Sequence, residues 1–313
     1  VNALEIHGLV KRFGSFTALA GFDLTVPRGS IFGFLGPNGA GKTTTLRILT
    51  GLAHATAGRV IIEGVEVGRE TIPPIGYLPD APGFYGWMKA REFLTYIARL
   101  HRLENPPIDA VLERVGLADA AKKRIGGFSR GMKQRLGLAQ ALLPAPQVLL
   151  LDEPVSALDP AGRKEVLEIL SGLRGELTVF FSTHILNDAE RVCDEIGILD
   201  RGQLVLQARR DDLLARFARP ICEIDVTPED APRLAALADQ LRALPWVERV
   251  THEGARLRLS VHEVHQARRE VLPLLVGLSV MRFEMLSATL EDIFLSLTHH
   301  APGAAISSSQ EPT

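Results

Sequence analysis

The apolar positions of the chain change period several times, and each change marks an element. Residues 4–10 alternate apolar and polar side chains, then give way to Lys11-Arg12-Phe13-Gly14, a strand ending in a turn. Residues 18–26 read as a second strand before Pro27-Arg28-Gly29. Residues 30–35 are continuously apolar, which predicts a strand covered on both faces, as in a parallel sheet. A helix is predicted over 45–52 and a hairpin over 58–67, turning at Glu63-Gly64. From Arg91 to about Leu143 the spacing is mostly helical: 92–100, 109–115, and 129–143 behind a serine cap. Strand 147–151, helix 161–173, strand 178–182, a helical turn at 187–193 and strands at 195–199 and 203–206 follow. Strand–helix alternation around a helical insert predicts an α/β core with a largely parallel sheet.

Past Arg219 the texture changes. Residues 221–226 read as a strand, and Thr227-Pro228-Glu229-Asp230 opens a helix with proline in its first turn. Residues 246–250 and 256–261 fit a hairpin about Glu253-Gly254, and Ser260 with Glu263 forms a capping box for a helix to about Val276. A strand is predicted over 278–286, and Leu290, Ile293, Phe294 and Leu297 share one face of a last helix. The order β-α-β-β-α-β is that of a small α+β ferredoxin-like module. The expected division is a domain over 1–218 with a helical subdomain at about 83–143, an accessory domain over 219–299, and a disordered tail over 300–313.

Composition narrows the field. The 313 residues suffice for two domains, and 46% hydrophobic with 23% charged residues suits a protein with a real core. A net charge of −2 offers no basic excess to attract nucleic acid, so none is expected as a partner. Cys193 and Cys222 have no metal-ligand spacing and read as buried thiols of a reducing compartment. The chain does not open on a charged start before an apolar core, so no secretory signal is expected. The longest apolar run, 271–281, is broken by Pro273 and Gly277 and falls short of the about 20 residues a membrane span needs. The chain is therefore expected to be soluble.

The first chemical signal is Gly36-Pro37-Asn38-Gly39-Ala40-Gly41-Lys42-Thr43-Thr44, the spacing G-x-x-x-x-G-K-T between a predicted strand and a predicted helix. Its glycines let the backbone curl so that several N–H groups face one anion, and the helix start adds unpaired N–H groups and a positive dipole end. Lys42 would reach the β- and γ-phosphates of a nucleoside triphosphate, and the Thr43 hydroxyl would hold Mg²⁺. The second signal is Val148-Leu149-Leu150-Leu151-Asp152-Glu153, a buried strand with two acids at its carboxyl end, where open α/β sheets place their ligands. Asp152 suits a Mg²⁺ shell, and Glu153 can polarise an attacking water. The third is Ser129-Arg130-Gly131-Met132-Lys133-Gln134, a turn into a helix whose amides can meet an anion. One nucleotide does not need two such sites in one subunit, unless this turn closes on a nucleotide held by a second copy.

Together these residues resemble the ATP-binding subunit of an ABC transporter, over about residues 4–215. The glycine loop matches Walker A, Asp152-Glu153 closes Walker B, and Ser129, Arg130, Gly131 and Met132 stand where the family has its LSGGQ signature. Ser156-Ala157-Leu158-Asp159 resembles the D-loop and Ser182-Thr183-His184 the switch-histidine region. Phe13 falls where the family stacks an aromatic on adenine; read alone, an aromatic after a strand is more often packing. Asp159 read alone is a helix cap, and His184 a capping or core residue. The resemblance implies a P-loop NTPase (RecA-like) core with antiparallel β and helical subdomains. It also implies ATP and Mg²⁺ as cofactors, and head-to-tail pairing of two copies around two ATP.

Three departures stand out. Arg130 and Met132 replace the signature's first glycine and its glutamine, Phe13 replaces the usual tyrosine, and Asp80 of Tyr77-Leu78-Pro79-Asp80 replaces the Q-loop glutamine. A carboxylate at 80 can still hold Mg²⁺ or orient water, with a shorter arm. The neighbouring Phe84-Tyr85-Gly86-Trp87-Met88 reads equally as a docking surface or as the core of the helical insert.

The function expected from this resemblance is an ATP-hydrolysing motor of an export-type transporter. It would sit peripherally on the cytoplasmic face of the cell membrane and drive a separate permease subunit. The alternative is a soluble ABC-type ATPase acting on nucleic acid or ribosomes. Against it stand a single ATPase module and the lack of sustained heptads between Lys42 and Asp152.

Overall fold

The computed structural model describes residues 1–68, 71, 73–216, 220–262, 264–286, 289–291 and 293. It divides the chain into two compact units, Val1–Arg210 and Asp211–Thr313.

The first unit opens with β1 (Asn2–Phe13), β2 (Phe16–Ala20) and β3 (Leu24–Pro27), followed by β4 (Ile31–Leu35) and α1 (Lys42–Leu49). The single strand expected over 18–26 is thus two. Gly21, at φ +99°, and Gly8, at φ +56° on the facing strand, bend the ladder where Gly8 N–H donates to Asp23 Oδ1 at 2.9 Å. Both strands still pair antiparallel with β1. The expected hairpin is β5 (Ala57–Ile62) with β6 (Val65–Glu66). It is followed by β7 (Ile75–Leu78), which the residue pattern did not reveal because its four residues carry too little periodicity.

The helical insert contains α2 (Ala90–Leu100), α3 (Ile108–Arg114) and α4 (Arg130–Leu142). The chain continues through β8 (Val148–Asp152), α5 (Pro160–Ser171), β9 (Thr178–Thr183), α6 (Leu186–Val192), β10 (Glu195–Asp200), β11 (Gln203–Arg209) and α7 (Arg210–Arg216). The last of these was not anticipated from the sequence.

Two sheets frame this unit. One is antiparallel, in the order β2-β1-β5-β6 with β3 also on β1. The other runs β11-β10-β4-β9-β8-β7, parallel from β10 to β7, with β11 antiparallel at its edge. The apolar strands β4 and β8 are buried along their whole length, as their unbroken hydrophobic runs require. Phe32 and Phe180 stack with centroids 5.4 Å apart, and Phe34 lies 5.2 Å from Phe180. Gly33 lets α6 press onto β4: a Cβ there would meet Cys193 Sγ at 2.6 Å.

The order of strands decides what meets what. Because β9 lies between β4 and β8, residues that follow β9 emerge between the glycine loop and Asp152.

The second unit contains β12 (Ile221–Val226), α8 (Ala231–Arg242), β13 (Val247–Glu253), β14 (Arg256–Val261), α9 (Val264–Leu274) and β15 (Val280–Leu286). Its antiparallel sheet runs β13-β14-β12-β15, the ferredoxin-like order expected from the sequence. Cys222, Ile224, Leu257 and Leu259 meet Leu234, Leu241, Ala267 and Val271 in one core. The opposite face of the sheet carries charge: Glu223, 6% exposed, lies 3.2 Å from Arg258 Nε and 3.1 Å from Arg282 Nη1. Beside it, Arg256 Nε donates to Asp225 Oδ1 at 2.7 Å.

Leu290 and Ile293 of the last predicted helix are buried. The capping residue Glu263, the helix residues Phe294 and Leu297, the boundary at 218/219 and the tail over 300–313 lie outside the described residues.

Candidate functional site

The glycine loop leaves β4 and ends in α1. That helix starts at Lys42, three residues before the sequence-based start at 45, so the first helical N–H groups belong to the motif itself. No side chain caps the helix at Gly41, which leaves those amides to the loop's concavity. Gly36 (φ +159°) and Gly41 (φ +112°) are obligatory for a second reason. A Cβ on Gly36 would lie 2.2 Å from the Leu199 carbonyl oxygen, and one on Gly41 would lie 2.6 Å from Leu19 Cδ2. The β1–β2 hairpin is thereby seated against the loop. Lys42, 6% exposed, folds back: its Nζ donates to the Gly36 carbonyl at 2.7 Å and the Pro37 carbonyl at 3.2 Å.

The acids at the end of β8 face this lysine. Asp152 is buried, and its Oδ1 accepts from Ser182 Oγ at 2.7 Å and from Thr43 Oγ1 at 3.2 Å. Glu153 turns the other way on a left-handed backbone, φ +47°. Its N–H donates to Ser182 Oγ at 3.0 Å, and its carbonyl accepts from Ser156 Oγ at 3.2 Å. Glu153 Oε1 then lies 3.3 Å from Lys42 Nζ, and Oε2 lies 2.9 Å from His184 Nδ1. A carboxylate only accepts, so Nδ1 carries the proton of that bond. The structure thus brings together residues 36–44, Asp152, Glu153 and His184, taken from three separate stretches of sequence.

The signature and D-loop residues form a cluster of their own. Ser129 caps α4 by accepting from Met132 N–H at 3.2 Å, and Asp159 caps α5 by accepting from Gly162 N–H at 3.2 Å. Both plain cap readings therefore hold within one chain. Arg130 is exposed, and its Nη1 donates to the Ala157 carbonyl at 3.2 Å. At Gly131 a Cβ would come within 3.8 Å of Gly162 Cα, so the two helix starts lie close.

Phe13 is 53% exposed at the tip of the β1–β2 hairpin, with Lys11 Nζ 4.8 Å above its ring. Its face is not spent on the core. Asp80 is exposed just after β7, the strand next to β8. The aromatic stretch divides between its two readings. Phe84 packs edge-on against Phe93 at 5.2 Å, whereas Tyr85 and Trp87 are exposed, 6.0 Å apart, with Tyr96 beside Tyr85.

Two neighbours of the site carried no role in the sequence reading. Ser182 had only its place before the histidine as a signal. Tyr77 stands opposite Leu150 in the β7–β8 register, two residues before Asp152, and its pKa is pushed up by burial first and then by the charge of Asp152.

Comparisons with known proteins bear on the family. The family model described as ABC transporter matches residues 19–156, and the one described as ATP-binding protein DrrA1-3-like, C-terminal domain, matches residues 209–298. An uncharacterized ABC transporter ATP-binding protein of Bacillus subtilis (strain 168), YxlF, is 40% identical over 95% of this chain and 99% of its own. The bacitracin transport ATP-binding protein BcrA of Bacillus licheniformis is 38% identical over 94% of this chain and 96% of its own. Among solved structures, an ATP-binding subunit of an ABC transporter superposes with a TM-score of 0.61 at 30% identity, over 69% of this chain and 93% of that one. These likenesses lend no support to the alternative of an ATPase working on nucleic acid.

Proposed function

The chain belongs to the ABC transporter ATP-binding subunits, as an ATP-hydrolysing enzyme of the export type with an appended C-terminal domain, and from that premise we propose how its residues do the work. The observation that carries the reading is the placement of Lys42, Glu153 and His184 in one chain of contacts around the mouth of the glycine loop.

The loop 36–44 binds the phosphates of ATP, with Lys42 giving up its bonds to the Gly36 and Pro37 carbonyls for the β- and γ-phosphates. As Lys42 turns to phosphate it releases Glu153 Oε1, which becomes free to accept a proton. A water oxygen then bonds to the γ-phosphorus, the bond from phosphorus to the bridging oxygen of ADP breaks, and the water proton passes to Glu153. His184, hydrogen-bonded to the other carboxylate oxygen, keeps Glu153 oriented.

The site also fits Mg²⁺. Thr43 Oγ1 and the buried Asp152 carboxylate, both hard oxygen donors, face each other at 3.2 Å at the start of α1. Bound there, the ion would neutralise phosphate charge. Asp80, exposed one strand away, is the proposed further acid for the metal or the water. Phe13 stacks on adenine from the hairpin seated against the loop.

Ser129, Arg130, Gly131, Met132 and Asp159 complete the site in trans, in a head-to-tail homodimer that closes on ATP and reopens after hydrolysis. We assign residues 1–218 to this ATP-binding domain and 219–299 to the accessory domain. Transport itself runs through a separate membrane permease subunit, at whose cytoplasmic side the chain sits. Among the described residues no helix is long and apolar enough to cross a membrane. The relative named for bacitracin transport makes a peptide antibiotic the first cargo to test.

The test is to reconstitute the chain with the membrane protein encoded beside its gene. ATPase activity that rises with the permease and cargo supports the reading. An ATPase indifferent to any membrane subunit would count against it.

A further inference from the structure

We infer that Ser182 is a positioning residue for hydrolysis: its one hydroxyl sets the Asp152 carboxylate and the backbone of Glu153 together. The inference rests on the proposed assignment of Asp152 to the metal and Glu153 to the water.

The geometry starts from register. In the pairing of β8 with β9, Ser182 stands directly opposite Asp152, and in the pairing of β4 with β9 it stands opposite Phe34. Its neighbours along β9, Val179, Phe180 and Phe181, are buried apolar residues, and Ser182 itself is fully buried. A hydroxyl in such a strand is unfavourable unless its hydrogen-bonding capacity is used. Here both sides are used, and on consecutive residues. The proton goes to Asp152 Oδ1 at 2.7 Å, and a lone pair takes the Glu153 N–H at 3.0 Å.

Those two residues have to face apart: Asp152 towards Thr43, Glu153 towards Lys42 and His184. Just past the end of β8, Glu153 takes the left-handed region, which L-residues adopt at a cost. The bond from Ser182 to the Glu153 amide holds that turn from one side, and Ser156 Oγ holds the carbonyl from the other. Were Thr43 and Asp152 to hold a metal ion, Ser182 would remain to fix the carboxylate.

A merely structural serine would lower stability and every form of binding alike. A positioning serine makes a sharper demand. In Ser182→Ala, ATP affinity measured with a fluorescent ATP analogue in excess EDTA should stay within about twofold of wild type. The gain in affinity on adding Mg²⁺ should shrink about tenfold, the scale of one lost hydrogen bond to a charged group. The kcat should fall by at least that factor while KM moves less. A parallel loss of affinity with and without Mg²⁺, or an unchanged Mg²⁺ response, overturns the inference.

Should Ser182→Ala fail to fold, Ser182→Thr, which keeps the hydroxyl, decides. Retention of the Mg²⁺ response within about threefold supports the role. Its loss at an unchanged melting temperature overturns it. A wild-type chain whose ATP affinity ignores Mg²⁺ removes the metal assignment and this inference with it. A responsive wild type with a normal Ser182→Ala removes the inference alone.

Discussion

His184 Nδ1 lies 2.9 Å from Glu153 Oε2, so the imidazole following β9 is bonded to the acid following β8. The consequence is that the two residues fail differently. Glu153→Gln removes the proton acceptor but keeps the shape, and should lower kcat by about 10²–10⁴-fold while ATP still binds and drives dimer formation. His184→Ala leaves the acceptor unoriented and should lower kcat with little change in KM. Steady-state ATPase assays with size-exclusion chromatography in ATP check both; turnover near wild type in Glu153→Gln would remove it as the base.

Lys42→Ala should weaken ATP binding by on the order of 10–100-fold, the value of hydrogen bonds to a charged phosphate. Nucleotide titration by calorimetry measures it. An unchanged affinity would mean that Lys42 belongs to the Gly36 and Pro37 carbonyls permanently.

Phe13→Ala should cost about 0.5–1.5 kcal/mol of ATP affinity, roughly two- to tenfold, if the exposed ring stacks on the base. Phe13→Tyr should bind as wild type does. GTP and ATP titrations of both variants separate stacking from a general loss of the hairpin.

Legibility in the sequence followed locality. The glycine loop declared itself because its turn, lysine and helix start are consecutive, and the ferredoxin-like order of the second unit followed from its successive elements. Ser182 and Tyr77 were silent because their partners come from cross-strand register, which no single stretch contains. The bend at Gly21 was missed for the same reason, since it answers Gly8 on the facing strand. The acceptor of Arg130, the Ala157 carbonyl, was hidden because it belongs to a different loop.

Both thiols should be inert in the native chain. Burial pushes the Cys193 thiol well above its ordinary pKa and raises Cys222 to about 12, so neither presents thiolate near neutral pH. Titration with a disulfide reagent should find no reactive thiol in buffer and both after denaturation. Fast labelling of either in the folded chain contradicts this packing.

Asp225 gives the second unit an acid-side dependence. Its hydrogen bond from Arg256, with the charges of Arg256 and Arg282, holds its carboxyl below the usual range. A depressed folded pKa contributes stability above the unfolded value of about 3.9, and that contribution is lost as pH falls through the folded pKa. Asp225→Asn should therefore lower the melting temperature modestly at pH 7 and by less at pH 3, as read by calorimetry of the full chain. An equal difference at both pH values would assign the effect to packing.

The close approach of Gly33 to Cys193 also constrains how this sequence can drift. With Sγ 2.6 Å from where a Cβ would stand, no side chain fits at 33 while a cysteine fills 193. Descendants can enlarge the first position only after the second has shrunk. The two sites should therefore vary as a linked pair, with an alanine at 33 tolerated only beside a residue at 193 that surrenders the sulfur's volume.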